Sequence, residues 1–191
     1  MNATITYYTA TILGAIGVLF FLRKGWKSYG LLFLTSSSVA IILCFVFVKL
    51  GFYSFPHIPF PVQSQIPFIA MTLTFPVGVM FGVRYSPKQW IWKVPFYWAI
   101  VHIGVGIEAM IKGYTSIIKY DYQWDLWDTY TWWWIYFLFL EWVGGKMIPD
   151  HLKRPIDGEL FRYGRSGWII FHLIVIITIF LAGYYLGKIT N

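Results

Sequence analysis

Charge is what this sequence has least of. Asp, Glu, Lys and Arg make 12% of its 191 residues, against about 25% in soluble domains. A water-soluble fold of this size must cover its remaining surface with charged side chains, and fifteen basic and eight acidic residues are too few to do so. Cysteine is nearly absent. The lone Cys44 excludes an intramolecular disulfide and, lying in an apolar run, reads as a small core residue. Also missing are HExxH, GxSxG, P-loop and dinucleotide fingerprints, which removes support for hydrolytic and nucleotide-dependent chemistry. No cofactor is expected. Internal repeats and low-complexity tracts are absent too, so residues 1–191 read as one domain.

What is present is apolar length. Six runs, at about residues 3–22, 31–50, 66–83, 94–112, 131–148 and 168–187, reach the roughly 20 residues that cross a hydrocarbon core as a helix. Continuous apolarity without two-residue alternation selects helices over a closed barrel. The expected class is therefore all-α: a polytopic transmembrane bundle of six spans. The first run lacks a basic region before it, with Arg23 and Lys24 following instead, so it is expected to be a retained span and not a secretory signal. Eleven basic residues fall in the odd connections and four (Lys49, Lys112, Lys119, Lys188) on the other side. The positive-inside rule then places both termini outside a bacterial cytoplasmic membrane.

These basic residues lie where anionic head groups would meet them, and no RNA-binding pattern accompanies them, so membrane lipids are the expected partner and nucleic acid is not. Pro56, Pro59 and Pro61 with several aromatics make residues 51–65 a stiff interfacial segment, and Pro76 is expected to kink the third span. Asp121, Asp125 and Asp128 decorate the outer side, read as hydrated surface, with cation collection as the alternative.

Ionisable residues inside spans are functional suspects, because burying them in lipid costs several kcal/mol. At 1.5 Å per residue, His102 lies about 12 Å, Glu141 about 10 Å and His172 about 6 Å from the cytoplasmic ends of their helices. Thr35, Ser36, Ser37 and Ser38 fall at about the same depth. A polar layer in the inner half follows, with hydrogen-bonded structural packing as its plainest role. Proton relay or substrate binding is a second role, and a metal held by His102, Glu141 and His172 a third, although their spacing carries no zinc signature. Gly144 and Gly145 beside Glu141, and Gly104 and Gly106 beside His102, let a neighbouring helix approach closely, within the chain or from a homo-oligomer or membrane-protein partner.

Glu108 lies in the outer half, four residues before Lys112 in the order that favours an intrahelical pair, and could instead guard a cavity mouth. Lys49 is expected to snorkel. In the loop over 146–167, Asp150 and His151 read as part of a solvated turn, or as a pair that hands on protons.

Glu108 near the end of a span, then Lys112, Thr115, Ile117, Ile118, Tyr120 and Trp124 leading to the next, form a recognisable pattern. Over residues 66–142 the chain thereby resembles a family of small, uncharacterised multi-pass membrane proteins of endospore-forming Firmicutes. The resemblance implies a bundle of about five helices and draws attention to Glu108 and Trp124. The expected function is a non-catalytic component that binds a small ligand, lipid or partner. A small transporter or channel subunit and a lipid-modifying enzyme using His102, Glu141 and His172 are the alternatives.

Overall fold

The computed structural model describes residues 2–58 and 66–157, together with Ile169, Leu173, Ile174, Ile177 and Thr178. His172 and most of the expected sixth span lie outside the described residues, as do Pro59 and Pro61. The chain divides into two units, residues 1–155 and 156–191, and the first contains every element considered below.

Its helices are α1 (Ala3–Leu22), α2 (Trp26–Lys49), α3 (Phe68–Tyr85), α4 (Trp90–Tyr114) and α5 (Leu126–Met147). Helices α1 to α4 are long and apolar enough to cross a membrane. Ile16, Leu34, Ile42 and Ile103 are each more than half exposed, as expected where lipid and not water is the solvent. The chain is a helical membrane protein on these grounds. Helix α5 is as long, with 22 residues, but its Asp128, Glu141, Lys146 and its Trp and Tyr residues make it less apolar.

Three of the five helices, α2, α4 and α5, start earlier than their apolar runs do. Helix α2 begins at Trp26 and α5 at Leu126, about five residues ahead of the expected starts. An apolar run measures hydrocarbon thickness, whereas a helix continues until a cap or breaker stops it. For α5 the cap is explicit. The Asp125 carboxylate accepts from the N–H groups of Trp127 at 2.6 Å and Asp128 at 3.1 Å, and Asp128 accepts from the N–H of Asp125 at 3.0 Å. These two residues are thus a capping box and not a free acidic surface.

Helix α3 is central, touching α1, α2, α4 and α5. Helix α1 approaches it at Gly14, where a Cβ would lie 2.9 Å from the Leu73 carbonyl carbon. Pro76 sits inside α3, which runs on through it. Proline has no N–H, so the Thr72 carbonyl four residues earlier loses its helical donor. The Ser37 hydroxyl of α2 donates to that carbonyl at 3.1 Å. Ser36 donates to Leu32 within its own helix at 2.7 Å, and its carbonyl accepts from Tyr136 of α5 at 3.1 Å. The serine run thus binds helix to helix.

The two connections at one end meet. Strand β1 (Tyr53–Ser54) pairs antiparallel with β2 (Lys119–Tyr120), with Tyr53 opposite Tyr120 and Ser54 opposite Lys119. Asp121 fastens this ribbon. It accepts from the Ser54 hydroxyl at 2.7 Å and pairs with Lys119 at 2.6 Å, so it too is an internal tie. At the opposite end Arg84, 8% exposed, donates to the Leu152 carbonyl at 2.6 Å, and the Arg154 N–H donates back to the Arg84 carbonyl at 2.7 Å. That clasp holds the 3-10 turn Asp150–Leu152 against α3.

Candidate functional site

Beneath the ribbon lies a cavity of about 70 Å³, walled by α2, α3, α4 and α5. Its wall is mainly aromatic: Phe47 and Phe75, Trp124, Trp132 and Trp133, Tyr53 and Tyr136 all reach it. The aromatics concentrate there because α5 opens with a run of Trp residues on several of its faces, while the ribbon folds Tyr53 and Trp124 over the end of α2. Trp124 packs its ring against Phe47 at 4.9 Å and Phe52 at 5.0 Å between centroids.

Glu108 is the one carboxylate on this wall. Its two oxygens are held from two directions: Tyr120 of the ribbon donates to Oε1 at 3.0 Å, and the Trp133 indole of α5 donates to Oε2 at 2.8 Å. Behind Tyr120 the chain of donors continues. Thr129 donates to the Tyr120 hydroxyl at 3.1 Å, and the Trp124 indole donates to Thr129 at 2.9 Å. Burial, and after it the charge on Glu108, pushes the Tyr120 phenol well above the ordinary tyrosine range, which keeps it a donor. The indole of Trp133 fits because α4 carries Gly104 there; a Cβ would overlap the ring.

The expected pair between Glu108 and Lys112 does not form among the described residues. Lys112 instead places its ammonium 3.9 Å from the centre of the Tyr120 ring. The ring whose hydroxyl donates to Glu108 offers its π face to the cation. Glu108 is therefore ordered by neutral donors, with no ion pair among the described residues.

The structure gives Glu141 and His102, both expected in a shared inner layer, different surroundings. Glu141, 6% exposed, forms an ion pair with Lys93 and accepts from the Tyr97 hydroxyl at 2.5 Å. Lys93 and Tyr97 are four residues apart on one face of α4, which is the signal that links them. Lys93 lies just ahead of the apolar run 94–112, in the first turn of α4, and so falls inside the helix that the run alone does not reach. His102, about 13 Å further along α4 from Lys93 by helical rise, donates from Nδ1 to the Trp98 carbonyl at 2.8 Å, lies tilted against the Trp98 ring and meets Tyr130 edge-on. His102 and Glu141 share no partner. Among the described residues no three His, Cys, Asp or Glu side chains come together, and His172 lies outside them. Asp150 pairs with Lys153 at 2.9 Å, not with His151.

Chemically, the cavity offers one oriented acceptor in an aromatic wall. Among the described residues its wall carries no second carboxylate and no histidine. Family models, curated proteins and solved structures yield no match to this chain, and the reading of the site rests on this geometry.

Proposed function

We propose that this protein binds a small ligand, without transforming it, in the aromatic cavity beside Glu108, as a multi-pass component of a bacterial cytoplasmic membrane. The reading takes in α5 and residues 168–187 as further spans, six in all, both termini and the ribbon on the outer side, and membership of the spore-former family that the chain resembles. The observation that carries it is the double fixation of Glu108. Two donors from separate segments hold an acidic side chain at a cavity wall, which is the pre-organisation that a binding site needs and that a mere interfacial carboxylate does not.

The test fills the cavity. Ala40 lies on its wall. The full chain in lipid nanodiscs is melted against a set of small cationic, neutral and anionic solutes. Wild type is expected to gain melting temperature with at least one solute, and Ala40→Leu to lose that gain. Equal responses from both proteins across the whole set would count against a ligand site. Epitope tags at both ends that react only after the cell membrane is opened would overturn the proposed orientation.

A further inference from the structure

Resting on that reading of the cavity, we propose that its ligand is a compact alkylammonium cation. Three observations converge on this class. First, the ion pairs among the described residues join Lys93 to Glu141, Lys119 to Asp121 and Lys153 to Asp150, so Glu108 takes part in none of them, and Lys112 sets its ammonium on the Tyr120 ring. A carboxylate has about four lone-pair sites, and Tyr120 and Trp133 use two. The remaining ones can receive N–H groups from a ligand, and a cationic ligand balances the carboxylate's charge among low-dielectric rings.

Second, the rest of the wall is what attracts an organic cation. Phe47, Tyr53, Trp124, Trp132 and Trp133 bring aromatic rings, whose quadrupoles draw ammonium groups, with Trp the strongest. The protein's own Lys112 shows this at the edge of the site, its ammonium set 3.9 Å from the ring that donates to Glu108. A hard metal ion is the poorer fit, since calcium and magnesium ask for six or so oxygen ligands and the polar side chains here are few.

Third, the size is restrictive. The cavity, about 70 Å³ and open on one side, suits a compact ammonium head of a few heavy atoms, and a longer tail leaves through its mouth. A free amine and the head group of an aminophospholipid present the same chemistry.

The experiment uses the full chain in phosphatidylglycerol nanodiscs, titrated with ethanolamine, its neutral counterpart ethylene glycol and its anionic counterpart glycolate, with tryptophan fluorescence as the readout. The expected result is a saturable response to ethanolamine alone. Glu108→Gln should weaken it about tenfold or more, and Phe47→Leu about fivefold. Phe47→Leu leaves the carboxylate in place and keeps the test decisive if Glu108→Gln does not fold. Repeating the titration in discs that contain phosphatidylethanolamine separates the two sources. A weaker apparent ethanolamine affinity there assigns the site to the lipid head group, and an unchanged one assigns it to a soluble amine; both uphold the cation. Equal responses to ethanolamine and ethylene glycol, a preference for glycolate, or no response to any of the three overturns the cation. The ligand-binding reading fails separately, through the Ala40→Leu comparison.

Discussion

Tyr53 stands directly opposite Tyr120 in the antiparallel ribbon, the first lining the cavity and the second donating to Glu108 at 3.0 Å. Two connections far apart in sequence thereby make one roof. Its integrity decides whether the carboxylate beneath stays oriented.

That roof should come loose in acid. The Lys119 ammonium, and with it the Ser54 hydroxyl, holds the Asp121 carboxyl below the ordinary carboxylate range. A carboxyl whose pKa is depressed on folding adds stability above its unfolded pKa, about 4, and loses it as pH falls through the folded value. The near-ultraviolet dichroism of the aromatic roof is expected to be constant from about pH 5 upward and to change below about pH 4. Asp121→Asn should remove the acid step. An unchanged step in that variant would show that another group controls it.

Lys93 and Glu141 should be coupled. Lys93 is 19% exposed and Glu141 6%, so the pair is mostly but not fully desolvated. Lys93→Met strands the carboxylate and is expected to cost about 1–3 kcal/mol, below the range for fully buried pairs because water reaches the lysine. Adding Glu141→Leu should return most of that loss, since two apolar side chains need no solvation. Denaturant titration of the single and double variants in detergent measures it; additive losses would mean that the two charges do not interact.

The turn that brings Trp124 under the ribbon is strained. Tyr122 and Gln123 adopt φ of 41° and 61°, the left-handed region, and the Trp124 N–H donates to the Asp121 carbonyl at 3.0 Å across them. Glycine is the residue that such primed turns favour at the second position. Gln123→Gly is expected to stabilise the protein by about 0.5 kcal/mol, the relief of backbone strain less the extra freedom of the unfolded chain. Gln123→Val should destabilise by about 1 kcal/mol or more. Melting temperatures of the two variants on the same side of wild type would contradict this account.

Gly144 and Gly145 have opposite surroundings, although the sequence offers them as one association face. A Cβ at Gly144 would lie 2.6 Å from Val83 and 3.1 Å from Leu32, while nothing lies within 4 Å at Gly145. Gly144→Leu is therefore expected to cost about 1–3 kcal/mol by overpacking, and Gly145→Leu to leave folding intact. Cross-linking of the Gly145→Leu protein then reports on self-association without confounding loss of fold. A folded, fully stable Gly144→Leu protein would show that α5 does not seat against α2 and α3 there.

Glu108 and Trp124 could be singled out from the sequence, one because a carboxylate inside an apolar run is costly, the other through the resemblance. Their place on one wall could not be read there. Sixteen residues separate them, and it is the turn at Tyr122 and Gln123 and the pairing of the ribbon that fold Trp124 back over the cavity. The shared depth of His102 and Glu141 came from counting rise from the ends of the apolar runs. The helices pack with Glu141 level with Lys93 and Tyr97, whereas His102, about 13 Å further along α4 than Lys93 by helical rise, meets Tyr130 of α5.

The amino-acid sequence by itself determined that this is a helical membrane protein and roughly where its long helices lie. Low charge and run length act locally, through each segment's transfer from water and its own backbone hydrogen bonds. Tertiary structure decided which residues form the cavity, which cation answers Glu141, and that Ser37 repairs the gap left by Pro76. Those outcomes depend on helix rotation and on contacts between distant connections, and in a chain apolar on nearly every face no periodicity marks which side turns inward.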